Sequence, residues 1–118
     1  MQDLAKEFLN TYYNVMMNDR QNLINFYLDQ STLNYEGTTY RGLKEINDKF
    51  ESFSFKTINF HMENFDVKES TVQGGLVITL NGQLQFDGTD TFSFSQSFHL
   101  LPNGSNYYVH EELFEFVF

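Results

Sequence analysis

Residues 72–86 read Val72-Gln73-Gly74-Gly75-Leu76-Val77-Ile78-Thr79-Leu80-Asn81-Gly82-Gln83-Leu84-Gln85-Phe86. An apolar residue or a glycine stands at each even position of this stretch, and the odd neighbours are mostly polar. A period of two marks a β-strand with one face on a core. Phe92, Phe94, Phe98 and Leu100 continue it in a following strand, with Gln96 as the polar residue in phase. Turn signals near Glu69-Ser70, Asp87-Gly88 and Asn103-Gly104 separate the runs, so the spacing predicts an antiparallel meander. Gly74, Gly75 and Gly82 fall inside the first long run, where glycine marks a bulge or a sharp bend. The expected sheet is long and strongly bent.

Before residue 55 the period is helical. Leu4, Phe8, Tyr12 and Val15/Met16 recur along residues 3–18 as one face of an amphipathic helix. Asn18-Asp19-Arg20 breaks it, and a second short helix is expected from Gln21 to Leu28. Leu33-Asn34-Tyr35-Glu36 reads as a brief strand turned at Gly37. Gly42 opens a third helix to about Phe53, with Leu43, Ile46 and Phe50 on one side. Helices first and a bent antiparallel sheet after them make an α+β domain. Such a sheet, wrapped around the long N-terminal helix with two shorter helices beside it, encloses a cone. Its open mouth is expected to be lined by Tyr35, Phe55 and Phe86.

The chain has 118 residues and 13.9 kDa, the size of one domain spanning 1–118. Aromatics reach 18%, with 14 Phe and 7 Tyr, which argues against disorder and for a thick core or an apolar cavity. Sixteen acids against seven bases give a net charge of −9 and a pI near 4.5. Nucleic acid and anionic membrane surfaces are disfavoured as partners, because neither is drawn to an acidic chain without a basic stripe. A small molecule or a protein with a basic patch fits better. There is no cysteine, which excludes disulfides, zinc-thiolate sites and cysteine nucleophiles. No apolar run reaches membrane-spanning length, and Met1-Gln2-Asp3 opens no signal-peptide core, so a soluble protein of the nucleus and cytoplasm is expected.

Motifs of catalysis and cofactor binding are equally sparse. His61, His99 and His110 fall on different expected strands, with no metal-binding i, i+4 pair and no HExxH. Neither a P-loop, a GxGxxG run nor a Gly-x-Ser-x-Gly elbow occurs, so no metal or cofactor is expected. Taken alone, Glu36 is an acid at a strand end. Asp87 and Asp90 are turn residues, and Phe53, Phe55, Phe86 and Phe92 are core aromatics.

Taken together and in order, several stretches resemble the nuclear transport factor 2 family. They are Phe8-Leu9-Asn10-Thr11-Tyr12-Tyr13, Asn18-Asp19-Arg20 and Phe26-Tyr27-Leu28-Asp29; then Tyr35-Glu36-Gly37 with Tyr40-Arg41-Gly42; and Gly82-Gln83-Leu84 followed by Phe94-Ser95-Gln96-Ser97-Phe98-His99-Leu100. The resemblance implies a non-enzymatic carrier, a homodimer that binds GDP-bound Ran and phenylalanine-glycine nucleoporin repeats. It also implies residence in cytoplasm and nucleus with enrichment at the nuclear pore. A partner aromatic would enter a cavity walled by Tyr35, Phe53, Phe55, Ile58, Leu84, Phe86, Leu113 and Phe114. Glu36, Asp87 and Asp90 would form an acidic rim that meets Ran's basic residues. Tyr35 stands where the family usually has tryptophan. Met1 aligns with a tryptophan of the animal form that contributes to nucleoporin binding, so weak repeat binding is expected.

Two other readings stay open. One is an adaptor that binds phenylalanine-glycine peptides without Ran. The other is an isomerase- or dehydratase-type enzyme of the same cone fold, for which Glu63, Asp66 and His110 are the nearest acid or base candidates. Val77, Tyr107, Val109 and Val117 interrupt the polar phase of the late strands and are expected on the exposed sheet face that joins the dimer.

Overall fold

Two α-helices, a 3-10 helix and six strands follow one another in the computed structural model, which describes residues 1–118. Helix α1 spans Gln2–Asn18 and leads through the 3-10 helix Arg20–Phe26 into strand β1, Tyr27–Tyr35. Strand β2 is Thr38–Arg41 and helix α2 is Gly42–Glu51. The long strands β3 (Ile58–Glu69), β4 (Leu76–Phe86), β5 (Thr91–Asn103) and β6 (Asn106–Val117) complete one six-stranded sheet in the order β2-β1-β6-β5-β4-β3. The chain is thus α+β, with the sheet curled around α1 as the period switch suggests. No helix is long and apolar enough to cross a membrane.

The meander β3-β4-β5-β6 is antiparallel as expected, but β1 joins β6 in parallel, so the sheet is mixed at that seam. The second helix is also shorter than its sequence suggests. It ends at Phe26, and Tyr27 already lies in β1, because Tyr27 pairs with Val109 and points its hydroxyl into the core. On α1 the buried stripe is Ala5, Leu9, Tyr12 and Tyr13, rotated from the expected face so that Leu4 is 36% exposed. Ala5 on the contact line lets the helix axis approach the sheet closely. Phe8 and Tyr12 then pack edge-on against Phe98 of β5, at 5.2 and 4.9 Å.

Two bulges bend the antiparallel meander. Glu63 is the extra residue of β3 opposite β4, and His110 is the extra residue of β6 opposite β5. Gly82 sits against the first of them, where a Cβ would lie 2.3 Å from the His61 carbonyl oxygen, so no other residue fits without moving β3. Gly74 and Gly75, expected within the strand, lie instead in the turn before β4. The second bulge reverses the phase of β6. Val109 therefore faces the core, fully buried, and Tyr107 packs against the core as well, rather than both facing outward.

Under α1 the core closes around one carboxylate. Glu112 of β6 accepts hydrogen bonds from Tyr12 (3.2 Å), from Tyr27 and from the Gln96 amide (2.7 Å), while Tyr13 donates to Gln96 Oε1 at 2.6 Å. Four segments, α1, β1, β5 and β6, are tied by this knot, and no buried side-chain polar atom is left unpaired. Burial pushes Glu112 up from 4.5 to about 7, although the hydrogen bonds from Tyr27, Gln96 and Tyr12 pull the other way. Burial first, and the Glu112 charge second, raise Tyr12, Tyr13 and Tyr27 well above the ordinary phenol range, so all three remain donors.

Between pH 4.5 and about 7 the folded chain holds a proton on Glu112 that the unfolded chain has lost, so this group's contribution to stability falls as pH rises through that window. The span corresponds to about 3 kcal/mol. Urea unfolding of wild type and Glu112→Gln across pH 4.5–8 should show the difference moving against the wild type by about that amount. A difference independent of pH would remove the assignment.

Candidate functional site

The open end of the cone is an aromatic socket. Tyr35, Phe53, Phe55 and Phe86 are its half-buried rim, and Leu33, Phe50, Ile58, Leu84 and Phe114 are its buried wall. Neighbouring rim rings lie close, at 5.5 Å for Tyr35–Phe53, 5.3 Å for Phe53–Phe55 and 4.9 Å for Phe55–Phe86. Tyr35 stacks on Phe114 at 5.2 Å with 7° between the planes. Tyr12, Gln96 and Glu112 form the base. The free space is about 30 Å³, room for one water, so an entering ring must part the rim rings.

Seven of the eight expected wall residues are therefore brought together. Leu113 is not among them. It alternates with Glu112 and Phe114 on β6, so its side chain points to the opposite face of the sheet, 41% exposed.

Two of the three expected rim acids share one geometry. Glu36 and Asp87 both adopt left-handed backbone, at φ 51° and 49°, and each precedes a positive-φ glycine, Gly37 or Gly88. Such a conformation costs a non-glycine residue about 1–2 kcal/mol. Each acid offsets that cost by accepting a backbone N–H from a segment distant in sequence. Glu36 Oε1 accepts from the Phe116 N–H, and its own N–H donates to the Phe114 carbonyl at 3.0 Å. Asp87 Oδ1 accepts from the N–H groups of Thr57 (2.8 Å) and Lys56 (2.9 Å), which hold its carboxyl below the ordinary range. In each residue one oxygen is anchored and the other has no partner in the chain. Asp90 is exposed in the β4–β5 turn and makes no side-chain hydrogen bond.

Bases also reach the mouth, which the sequence reading did not foresee. The Arg20 guanidinium lies 4.2 Å from the centre of the Phe55 ring and donates to the Phe55 carbonyl at 2.8 Å. Lys49 Nζ lies over Tyr35, Phe53 and Tyr40, at 4.8, 5.4 and 5.6 Å. The signal for Lys49 was its helical spacing, three residues after buried Ile46 and four before Phe53. Partial burial, then the nearby Glu36 charge, raises the Tyr35 hydroxyl and keeps it a donor. Glu112, also missed, betrays itself by sharing the phase of Phe114 and Phe116. By contrast Glu63 and Asp66 are exposed and His110 faces the outer sheet surface, so none of these acid or base candidates lines the socket.

The outer face of the sheet carries a shallow depression of about 640 Å³. Thr32, Asn34, Arg41, Ser97, His99 and Glu111 line it, with Val77 and Leu113 among them. Val117 is 52% exposed at the end of β6. A second groove of about 530 Å³, along α1, includes Leu4, Phe8, Phe26, Leu28 and Tyr107.

Comparison with known proteins gives the same family from three directions. The family model for the nuclear transport factor 2 (NTF2) domain matches residues 4–116. Nuclear transport factor 2 of Kluyveromyces lactis is 36% identical over 112 residues, covering 94% of this chain and 90% of that one. The structure of nuclear transport factor 2 from Cryptosporidium parvum superposes with a TM-score of 0.93 at 28% identity, over 98% of this chain and 94% of that one. A yeast deubiquitinase and cofactor complex shares the fold, with a TM-score of 0.90 at 22% identity over 100% and 98% of the two chains. The chain belongs to the nuclear transport factor 2 family.

Proposed function

We propose that the chain, as one domain over residues 1–118, is a nucleocytoplasmic transport carrier that binds GDP-bound Ran through the socket. Membership in a family named for nuclear transport supports the role. The observation that carries the finer reading is the pair of anchored acids, Glu36 and Asp87, on the mouth of an aromatic socket. Each presents one free oxygen from a fixed backbone, so little ordering is left for a Lys or Arg of Ran to impose. A Ran aromatic entering between Tyr35, Phe55 and Phe86 would contribute about 2–4 kcal/mol. Asp90, on the adjoining turn, adds to the field that steers the encounter.

The socket suits a carrier better than an enzyme. Its base carboxylate already receives three donors, from Tyr12, Tyr27 and Gln96, and the space above it holds about one water, 30 Å³. The carrier acts as a homodimer joined through the outer sheet face, where Leu113 and Val77 sit among polar neighbours and give a mixed interface. Phenylalanine-glycine repeats bind weakly in the groove along α1, among Leu4, Phe8, Phe26 and Leu28. Traffic with Ran and nucleoporins places the protein in cytoplasm and nucleus and enriches it at the pore. It requires no cofactor, nucleic acid or membrane.

Calorimetry with both nucleotide forms of Ran tests the main reading. The GTP form should bind far less well, because its switch segments reorganise around the γ-phosphate. Glu36→Lys should weaken the GDP complex by about 30-fold or more. Glu36→Gln, which keeps an acceptor for the Phe116 N–H, should weaken it less and leave unfolding unchanged. Equal affinity for the two forms, or an unaffected Glu36→Lys, would instead select the adaptor that binds phenylalanine-glycine peptides alone. Light scattering at micromolar concentration should give twice 13.9 kDa for wild type and a single mass for Leu113→Glu, whose side chain faces water in the monomer. A monomeric wild type would sink the dimer. Immobilised nucleoporin repeats should retain wild type at low salt; if a variant-free, folded, Ran-binding preparation passes straight through, repeat binding is to be dropped.

A further inference from the structure

The socket has a polar base whose hydrogen-bonding capacity is not used up. Of the fourteen residues that line it, twelve are apolar or aromatic, and the two that are not, Gln96 and Glu112, are bonded to each other. We propose that the socket binds a phenolic ring, whose hydroxyl reaches this base and bridges Gln96 and Glu112. Such binding takes place in the same socket as the carrier reading but requires neither Ran nor any other protein.

A glutamine amide has two N–H donors and one carbonyl acceptor. Gln96 accepts from Tyr13 at 2.6 Å and gives one N–H to Glu112 Oε2 at 2.7 Å. Its second N–H has no partner in the chain. A carboxylate offers about four acceptor positions. Glu112 fills three of them, from Tyr27, from Gln96 and from Tyr12, whose single proton is shared between the two oxygens at 3.2 and 3.3 Å. Both residues are only 6% exposed. Seating α1 on the sheet accounts for the bonds that are made, but not for the two positions left over. A spare donor and a spare acceptor on atoms 2.7 Å apart suit one hydroxyl, whose oxygen accepts from Gln96 while its proton goes to Glu112.

The walls select a ring. Tyr35, Phe53, Phe55 and Phe86 at the rim and Phe60 and Phe114 deeper in offer aromatic faces and edges. The free space of about 30 Å³ is that of a hydroxyl rather than a ring, so the ring has to part the rim. Phe53 and Phe55 permit this, because they lie between α2 and β3 and belong to neither helix nor sheet. Other head groups fit the base poorly. A carboxylate would oppose Glu112, an ammonium would face the Gln96 N–H, and a methyl ether has no proton to give Glu112.

Three small molecules that differ at one ring position test this directly. p-Cresol, toluene and 4-methylanisole would be titrated into the isotopically labelled full chain at pH 8, above the Glu112 value of about 7. The amide signals of Phe55, Phe86 and Gln96 report occupancy. p-Cresol should bind at least about tenfold more tightly than toluene, against the order of their transfer out of water, and 4-methylanisole no more tightly than toluene. Gln96→Met should bring p-cresol and toluene within about twofold of each other. That change also strips Tyr13 of its acceptor, so if the variant does not fold the wild-type ranking decides alone. N-acetyltyrosinamide carries the same ring on a peptide unit: affinity equal to that of p-cresol identifies a tyrosine side chain as the source, and absence of binding identifies a free phenol. Toluene binding as tightly as p-cresol would overturn the proposal. So would the absence of any shift on wild type, or p-cresol shifts confined to the groove along α1. Should GDP-bound Ran fail to bind while p-cresol is preferred as stated, the carrier reading falls and the phenol site stands. Should Ran bind while the three molecules rank by apolarity alone, the reverse holds.

Discussion

A carboxylate with no water around it has to be met by donors from its own chain, and that demand organises this fold. Glu112 lies at the centre of the cone, where Tyr12 of α1, Tyr27 of β1 and Gln96 of β5 converge on it. None of these residues is near another in sequence except through the sheet. Leaving any one donor out of place would strand a buried polar group at a cost of about 1–3 kcal/mol, and more for a charge. The apolar core alone could tolerate α1 sliding or rolling on the sheet. The polar knot allows one seat for the helix, and with it one position for the rings that line the mouth.

How much of this was legible depended on whether the signal was periodic or convergent. The phase of β4 and β5 placed Ile78, Leu80, Leu84, Phe94 and Phe98 in the core directly. β6 was harder, because the bulge at His110 reverses its phase midway. Val109 then goes inward where alternation counted from the C-terminus puts it outward, whereas Leu113 keeps that alternation and goes outward, although the family resemblance put it in the wall. A bulge leaves no mark at His110 itself, since it is set by pairing with β5. Likewise the positions of Glu36 and Asp87 could be aligned with a family. The anchoring of each by a backbone N–H from β6 or the 56–57 segment is a contact between distant parts of the chain. The same holds for Arg20 and Lys49, which reach the mouth over Phe55 and Tyr35 only once the helices are docked.

The mouth shows how a strongly acidic chain can be locally balanced. A net charge of −9 describes the long-range field that a partner meets first. At contact distance, inside one screening length, the acids Glu36 and Asp87 share the mouth with the bases Lys49 and Arg20. Overall charge therefore governs the rate of encounter, while the groups at the lip govern the contacts made there.

The His110 bulge carries an evolutionary consequence. From Glu111 to the end of β6, consecutive side chains alternate between the interior and the outer sheet face, with Glu112 and Phe114 on one side and Glu111 and Leu113 on the other. A substitution in this stretch alters one surface at a time. A gain or loss of a single codon exchanges both at once, bringing Leu113 to the knot and turning Glu112 to solvent. Selection should thus accept sequence drift along β6 but resist any change in its length. Tolerated insertions and deletions are confined to places such as the hairpin tip at 104–105, where no alternation has to be preserved.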